Sequence, residues 1–235
     1  MSAWAPKRFW KETAVAEDDG GYTVRLDGKP VKTPAKAPLI LPTRAMAEAV
    51  AAEWQAQEGE IRPEKMPMAR FAHSAIDKLT LQFDAVAEIV AAYGASDLIC
   101  YRAETPERLV ARQAEGWDPL IAWADEALGA PLRTGTGVIH VEQPAESLVA
   151  LSRAVHDFTP FELAGLHDLV AISGSLVLGL AVARGRLTPD EAFDLSRIDE
   201  HWQAELWGHD AESAAAEALK RADHAAAADF FRLSR

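Results

Sequence analysis

The residues able to do chemistry in this 235-residue chain are few and scattered. Its one cysteine, Cys100, sits in Leu98-Ile99-Cys100-Tyr101. A reactive thiolate needs a cationic neighbourhood; Arg102 is near in sequence, but the apolar neighbours describe a small buried hydrophobe. Seven histidines are present, yet no H-E-x-x-H and no Glu-x-x-His pair occurs, so the helix-borne ligand sets of zinc proteases and di-iron bundles are not written here. His156 and His167 could share a face only if one helix ran through Pro160. Gly174-Ser175 lacks the G-x-S-x-G elbow. Gly135-Thr136-Gly137 continues into Val138-Ile139-His140 and satisfies neither the dinucleotide nor the P-loop pattern. Asp199-Glu200 could in principle move protons, but adjacent helical residues diverge by about 100° and do not converge on one atom. No catalytic, cofactor-binding or metal-binding residue is assigned, and a binding protein is the expectation. An enzyme built around Cys100, His73 or Asp199-Glu200 and a stable structural subunit of a larger complex are the alternatives.

The stretch that asks for an explanation is Ser196–Gly208, SRIDEHWQAELWG, in a helical run opened by Thr188-Pro189. Such a pair places an N-cap residue before proline at the first helical position. Stepped at about 100° per residue, Leu195, Ile198, Trp202 and Leu206 form a core stripe. Ser196, Glu200, Gln203 and Trp207 lie roughly opposite. An indole among a carboxylate, an amide and a hydroxyl away from the core either packs on a neighbouring helix with polar groups at its rim or anchors a partner.

The elements that must position this face come from a chain of soluble, globular composition, 49% hydrophobic and 26% charged. A net charge of −12 excludes a general binder of nucleic acid or anionic membranes, which needs Lys and Arg to displace counterions. The imbalance is uneven: residues 1–50 carry 8 Lys/Arg against 6 Asp/Glu, and the remainder 16 against 30. Two regions with different surfaces follow. A single cysteine forbids an intramolecular disulfide and fits a reducing compartment. Lys7-Arg8-Phe9-Trp10 is not followed by the apolar stretch of a secretory signal. The run Leu169–Ala183 falls short of the roughly 20 residues that span a bilayer, and with Ser173, Gly174, Ser175 and Gly179 it reads as one closely packed core helix.

From Phe9 to Leu41 the pattern is β. Tyr22, Val24 and Leu26 alternate with polar residues, Asp27-Gly28 is a hairpin turn, and Lys29–Thr33 returns as an edge or bulged strand because of Pro30. Thr43 opens a helix with Ala47, Val50, Ala51 and Trp54 on one face, stopped by Gly59. The prolines of Glu60–Pro67 mark a joint, giving a β-rich domain with one helix over residues 1–62 and a helical domain over 63–235. Apolar stripes follow at Phe71, Ala72, Ile76 and Leu79, then at Val86, Ile89, Val90 and Tyr93. Helix starts are expected at Thr105-Pro106, Asp118-Pro119, Thr159-Pro160 and Thr188-Pro189, one strand at Val138–Val141, and an Ala-rich helix over Ala211–Ala228. The fold class is α+β, a small N-terminal β-containing domain followed by a larger all-helical one.

Several phrases then stand in a familiar order and spacing. They are Lys7-Arg8-Phe9-Trp10-Lys11, Leu26-Asp27-Gly28-Lys29-Pro30 with Lys32-Thr33-Pro34, Glu53-Trp54-Gln55, Met66-Pro67, Ala75-Ile76-Asp77, Asp97 through Arg102, Gln113 with Trp117-Asp118-Pro119, and Ser196–Gly208. Across nearly its whole length the chain resembles the Atp-twelve family, assembly chaperones for the alpha subunit of the F-type ATP synthase's catalytic sector. The resemblance implies a two-domain, non-enzymatic protein without cofactor. Its function would be to hold the unassembled alpha subunit and prevent its aggregation until a beta subunit replaces the chaperone. It also places the partner-binding residues at Ser196, Asp199, Glu200, Gln203 and Trp207. Mitochondrial members carry a targeting extension, whereas this sequence begins almost directly at its Lys-Arg-Phe-Trp phrase, so a bacterial member is expected. The expectation is a cytoplasmic, bacterial, monomeric member with no nucleic-acid partner and no membrane insertion; the mitochondrial matrix is the address of eukaryotic relatives.

Overall fold

In the computed structural model, residues 7–208 and 210–235 are described; the first six residues of the expected N-terminal domain lie outside them. Strand β1 (Thr13–Asp18) pairs antiparallel with β2 (Gly21–Leu26), Asp18 opposite Gly21. Asp19 and Gly20 between them have φ of 44° and 76°, the two left-handed residues that a tight type I′ hairpin requires. Asp27 and Gly28 repeat the device, φ 46° and 80°, and lead into β3 (Lys29–Pro30), so the sheet order is β1-β2-β3. The return strand expected over Lys29–Thr33 is shorter, because Pro30 has no N–H to give the ladder, although Val31 N–H still reaches the Val24 carbonyl at 2.9 Å.

Helix α1 (Arg44–Gln55) starts where expected: the Thr43 hydroxyl accepts the Met46 N–H at 3.1 Å. Its buried face is Met46, Ala47, Val50 and Ala51, packed on the sheet with Val24 and Leu26. At its end Trp54 meets Trp10 edge-on, ring centres 5.2 Å apart. A 3-10 turn, Pro63–Lys65, precedes α2 (Pro67–Ser74). This helix has no side-chain cap of its own; the Glu53 carboxylate supplies one, accepting the N–H groups of Met68 and Ala69 at 2.8 Å each. A π-helical turn, Ala75–Leu79, leads into α3 (Thr80–Ala91). The wide turn and non-helical Gln82 shift the phase of the chain. Phe71, Ala72, Leu79 and Val90 of the two expected stripes are buried, while Ile89, counted as core, is exposed. The described residues up to Phe83 form one compact unit with Pro160–Gly165 and Asp229–Arg235, and Phe230 stacks there on Phe161 and meets Phe71 at a tilt. The joint expected between residues 62 and 63 falls inside this unit.

The second unit, Asp84–Thr159 with Leu166–Ala228, is mostly helical and among its described residues has one two-residue parallel ladder, β4 (Tyr101–Arg102) against β5 (Gly135–Thr136). Between these strands runs α4 (Glu107–Leu128), 22 residues long, with Pro119 inside it. Asp118-Pro119 therefore does not start a helix. The carbonyl that Pro119 leaves without a partner belongs to exposed Glu115 and can be met by water, and Asp118 pairs with Arg102 at 2.8 Å. The strand expected at Val138–Val141 is also absent: Gly135 and Thr136 do the pairing, and Val138 and Ile139 stand 99% and 79% exposed in the following turn.

Helices α5 (Ala145–His156) and α6 (Pro160–Ser173) put His156 and His167 on separate elements. The apolar run Leu169–Ala183 is not one helix. It breaks at Gly174, φ +72°, and resumes as α7 (Leu176–Ala183), capped by the Ser175 hydroxyl on the Leu178 N–H at 3.0 Å. Glycine adopts this left-handed backbone without steric cost. No helix of the described residues is long and apolar enough to cross a membrane. Helices α8 (Pro189–Leu195), α9 (Ile198–Trp207) and α10 (Ala211–Leu233) complete the chain. The fold is α+β, a small strand-containing N-terminal region and a mostly helical remainder.

Candidate functional site

Thr188 and Glu191 form a reciprocal capping box at the start of α8, the hydroxyl taking the Glu191 N–H at 3.2 Å and the carboxylate taking the Thr188 N–H at 2.7 Å. The helix ends after Leu195. Ser196 and Arg197 form the link to α9, so one uninterrupted helical count from Ser196 onward does not hold. Two contacts with α4 fix the link. Trp117 donates its indole N–H to the Leu195 carbonyl at 2.9 Å. Gly116 lets the backbones close up: a Cβ there would lie 2.9 Å from both Ile198 and Leu195 side chains.

The five residues assigned to partner binding divide accordingly. Ser196 is buried, its hydroxyl donating to the Phe193 carbonyl at 2.7 Å. It is no part of an exposed face because it turns the chain out of α8. Asp199 accepts from the Gln113 side-chain amide at 2.6 Å and so faces α4. Glu200, Gln203 and Trp207 remain accessible, and they line one side of a crevice of about 410 Å³ between α9 and the first turns of α10. Glu200 is held by Arg197 at 2.5 Å. Asp210, which caps α10 through Ser213, and Glu217, bonded to His201 at 2.8 Å, add acid to the opposite wall, and Lys220 stands with them. Trp207 is 79% exposed, and Leu206, counted as core in the sequence, is 58% exposed. The helix ends at Gly208, beyond the elements that could cover either side chain. The other face holds α9 down: Ile198 is buried, and Arg112 makes a bidentate pair with Glu205 at 2.7 and 2.9 Å while lying over the Trp202 ring.

The residues of the enzymatic alternative have separate surroundings. Cys100 is fully buried, and burial, together with the nearby Asp97 carboxylate, pushes its thiol up to about 12. It stays protonated at neutral pH and cannot act as a thiolate. His73 belongs to the first compact unit, where burial lowers its basicity. Asp199 and Glu200 are engaged as described. Among the described residues no group of three His, Cys, Asp or Glu side chains is arranged to hold a metal ion. One acid missed in the sequence is fully buried. Asp97 accepts the N–H groups of Ile99 and Val177 at 3.2 and 3.0 Å, and burial raises its pKa to about 6. It pins the first turn of α7, a structural duty that its place before Leu98-Ile99-Cys100 could have signalled only as a local cap.

Residues 7–125, just over half of the chain, match the model of the family described as ATP12 chaperone protein, and the chain belongs to that family. The mitochondrial protein atp12 of Schizosaccharomyces pombe is 24% identical over 214 residues, spanning 86% of this chain and 74% of the relative. Two crystal structures are similar throughout. Atp12 from Paracoccus denitrificans is 50% identical with a TM-score of 0.94, over 97% of this chain and 98% of that one. The Atu1473 protein of Agrobacterium tumefaciens is 43% identical with a TM-score of 0.94, over 98% and 87%.

Proposed function

We propose that this chain is an assembly chaperone of the bacterial cytoplasm. It binds the unassembled alpha subunit of the F-type ATP synthase catalytic sector as a monomer, without catalysis or cofactor, and keeps it from aggregating until the beta subunit takes its place. Membership of the ATP12 chaperone family supports the reading. The observation that carries the site is Trp207, 79% exposed at the mouth of a crevice beside Glu200 and Gln203. An isolated indole in water has a large unsatisfied apolar area, and aromatic anchors ringed by polar groups are where binding energy concentrates. A subunit awaiting its partner exposes an interface of largely apolar character, prone to aggregation, and a holdase needs only to compete for that surface. Ser196 and Asp199 contribute by setting the angle of α9, and Glu200, Gln203 and Trp207 touch the client.

The test is to co-express the alpha subunit alone with the native chain or with Glu200→Lys or Trp207→Ala. Soluble alpha subunit is expected with the native chain and a loss of at least about tenfold with either variant, since each removes a contact at the centre of the patch. Equal solubility with all three chains would remove the face from the binding site. Alpha subunit that stays insoluble even with the native chain would sink the client assignment.

A further inference from the structure

We propose that the first compact unit carries a second client contact, of opposite chemistry. It is a crevice that takes an apolar side chain of the client next to a carboxylate. This rests on the reading of the chain as a holdase and adds to it the kind of segment that is held. The crevice measures about 430 Å³, at the small end of the range, roughly 300–1,000 Å³, of pockets that bind organic groups. Four segments build it: Pro34 after the sheet, Trp54 at the end of α1, Ile61 and Pro63 in the bend before α2, and Met66 with Ala69, which close the floor.

Its charges are what select the occupant. Both oxygens of Glu53, behind the floor, are spent on the N–H groups of Met68 and Ala69. Both oxygens of Asp77, at the edge, are spent on the Thr33 hydroxyl at 2.6 Å and the Ala35 N–H at 3.1 Å. His73 also lines the crevice, and its burial favours the neutral ring. Arg70 and Lys78 are both exposed at the rim and make no ion pair among the described residues, although the Arg70 charge also acts on Glu53 behind the floor. An inorganic anion would leave the apolar walls of Trp54, Ile61, Pro63 and Met66 uncovered, and a plain hydrocarbon would make no use of the two rim cations. A phenyl or branched aliphatic group with a carboxylate one or two residues away satisfies both, apolar area leaving water inside and opposite charge meeting at the rim. The crevice of Glu200 and Trp207 has acidic walls, so the two contacts prefer different segments. That gives a holdase a way to fix which part of its client it covers.

The experiment uses the full chain and a fluorescein-labelled, end-blocked peptide with a Phe-Leu core flanked by glutamates, beside the same core flanked by lysines. By anisotropy, read in a Trp207→Ala background so that the acidic crevice does not take up the lysine peptide, the glutamate peptide should bind at least about tenfold tighter than the lysine peptide. Arg70→Glu/Lys78→Glu should erase or invert that preference while melting at the native temperature; both side chains are exposed, so folding should survive the change. Glu200→Lys should leave glutamate-peptide binding intact. Equal binding of the two peptides, or an unchanged preference in Arg70→Glu/Lys78→Glu, overturns the proposal. Dodecanoate binding at the crevice without any peptide binding would assign it to a small amphipathic anion and overturn it equally. In the co-expression assay, loss of soluble alpha subunit with Arg70→Glu/Lys78→Glu supports the second contact. Full holding by that variant, with holding lost in Glu200→Lys, overturns the crevice and leaves the proposed function standing. A charge-selective crevice in a chain that never holds alpha subunit would do the reverse, keeping the acidic-segment preference and removing that client.

Discussion

The side-chain amide of Gln113 donates to the Asp199 carboxylate at 2.6 Å, and its carbonyl oxygen receives the Ala103 N–H at 2.8 Å. Gln113 is buried, so the bond ties α9 to α4 and to the strand that precedes it. Asp199 and Glu200, adjacent in sequence, therefore have different duties. Asp199→Ala leaves a buried amide donor without its acceptor and should cost about 1–3 kcal/mol in urea unfolding. Glu200→Lys exchanges an exposed ion pair for a like-charge contact with Arg197 and should stay within about 1 kcal/mol of native. Ile198→Lys, on the buried face, should unfold the chain by placing an unpaired charge in the core. Equal losses for Asp199→Ala and Glu200→Lys would mean that α9 is not oriented as described.

Close approach of helices gives a second expectation. A Cβ at Gly179 of α7 would lie 2.5 Å from Cγ2 of Val170 on α6. Valine is stiff at χ1, and Val170 is fully buried, so the clash cannot be relieved by a simple rotamer change. Gly179→Ala should destabilise by about 1–3 kcal/mol despite the better helix propensity of alanine. A thermal melt at or above the native temperature would show that the two helices are further apart.

Much of this architecture is legible in the residues, for local reasons. Asp27-Gly28 fixes a hairpin because two left-handed residues in a row suit little else, and Asp19-Gly20 carries the same signal for β1 and β2. Thr43 and Thr188 cap helices with bonds that span three residues. What fails is every inference that assumed one phase over a long stretch. The run Leu169–Ala183 looks continuous in hydropathy, and a single left-handed Gly174 splits it. Pro119 looks like a helix start, but on a solvent-facing turn its missing hydrogen bond is cheap enough for α4 to continue. At the candidate site the two-residue link after Leu195 turned Ser196 inward, and Leu206 stands in solvent because no element reaches the end of α9. Asp199 could be assigned only through Gln113, a partner 86 residues away. The crevice by Trp54 joins residues from four separate phrases of the sequence, and no local pattern announces it.

The turn after β5 should be the first place a protease enters. Val138 and Ile139 are exposed side by side, just after a ladder that is two residues long. Thermolysin, which prefers large apolar residues, should cut at this pair before cutting in any helix, because an exposed loop can open without global unfolding. N-terminal sequencing of the first fragments decides it. Initial cleavage inside α4 or α7 would contradict the helical assignment there.

The last expectation separates two buried titrating groups by the sign of their effect. His224 is buried against the Phe193 ring, and its Nε2 has no hydrogen-bond partner. Burial lowers its pKa to about 4, partly countered by Asp190 and reinforced by Arg221 and Arg197. The unfolded chain takes up a proton near pH 6.5 that the folded chain refuses until about pH 4. Stability from this group is thus complete above 6.5 and is lost as pH falls between those values, by about 2–3 kcal/mol. Asp97 works the other way. Its folded pKa of about 6 exceeds the ordinary 3.8, so its contribution is full below 3.8 and fades as pH rises toward 6. His224→Phe keeps an apolar ring beside Phe193 and removes the titration. Its melting temperature relative to native should climb steadily as pH is lowered from 6.5 to 4, while Asp97→Asn, measured in parallel, should lose ground relative to native over the same descent. A constant difference between His224→Phe and native across that range would show that His224 is protonated in the folded state, and that the contact with Phe193 is not the dry one described.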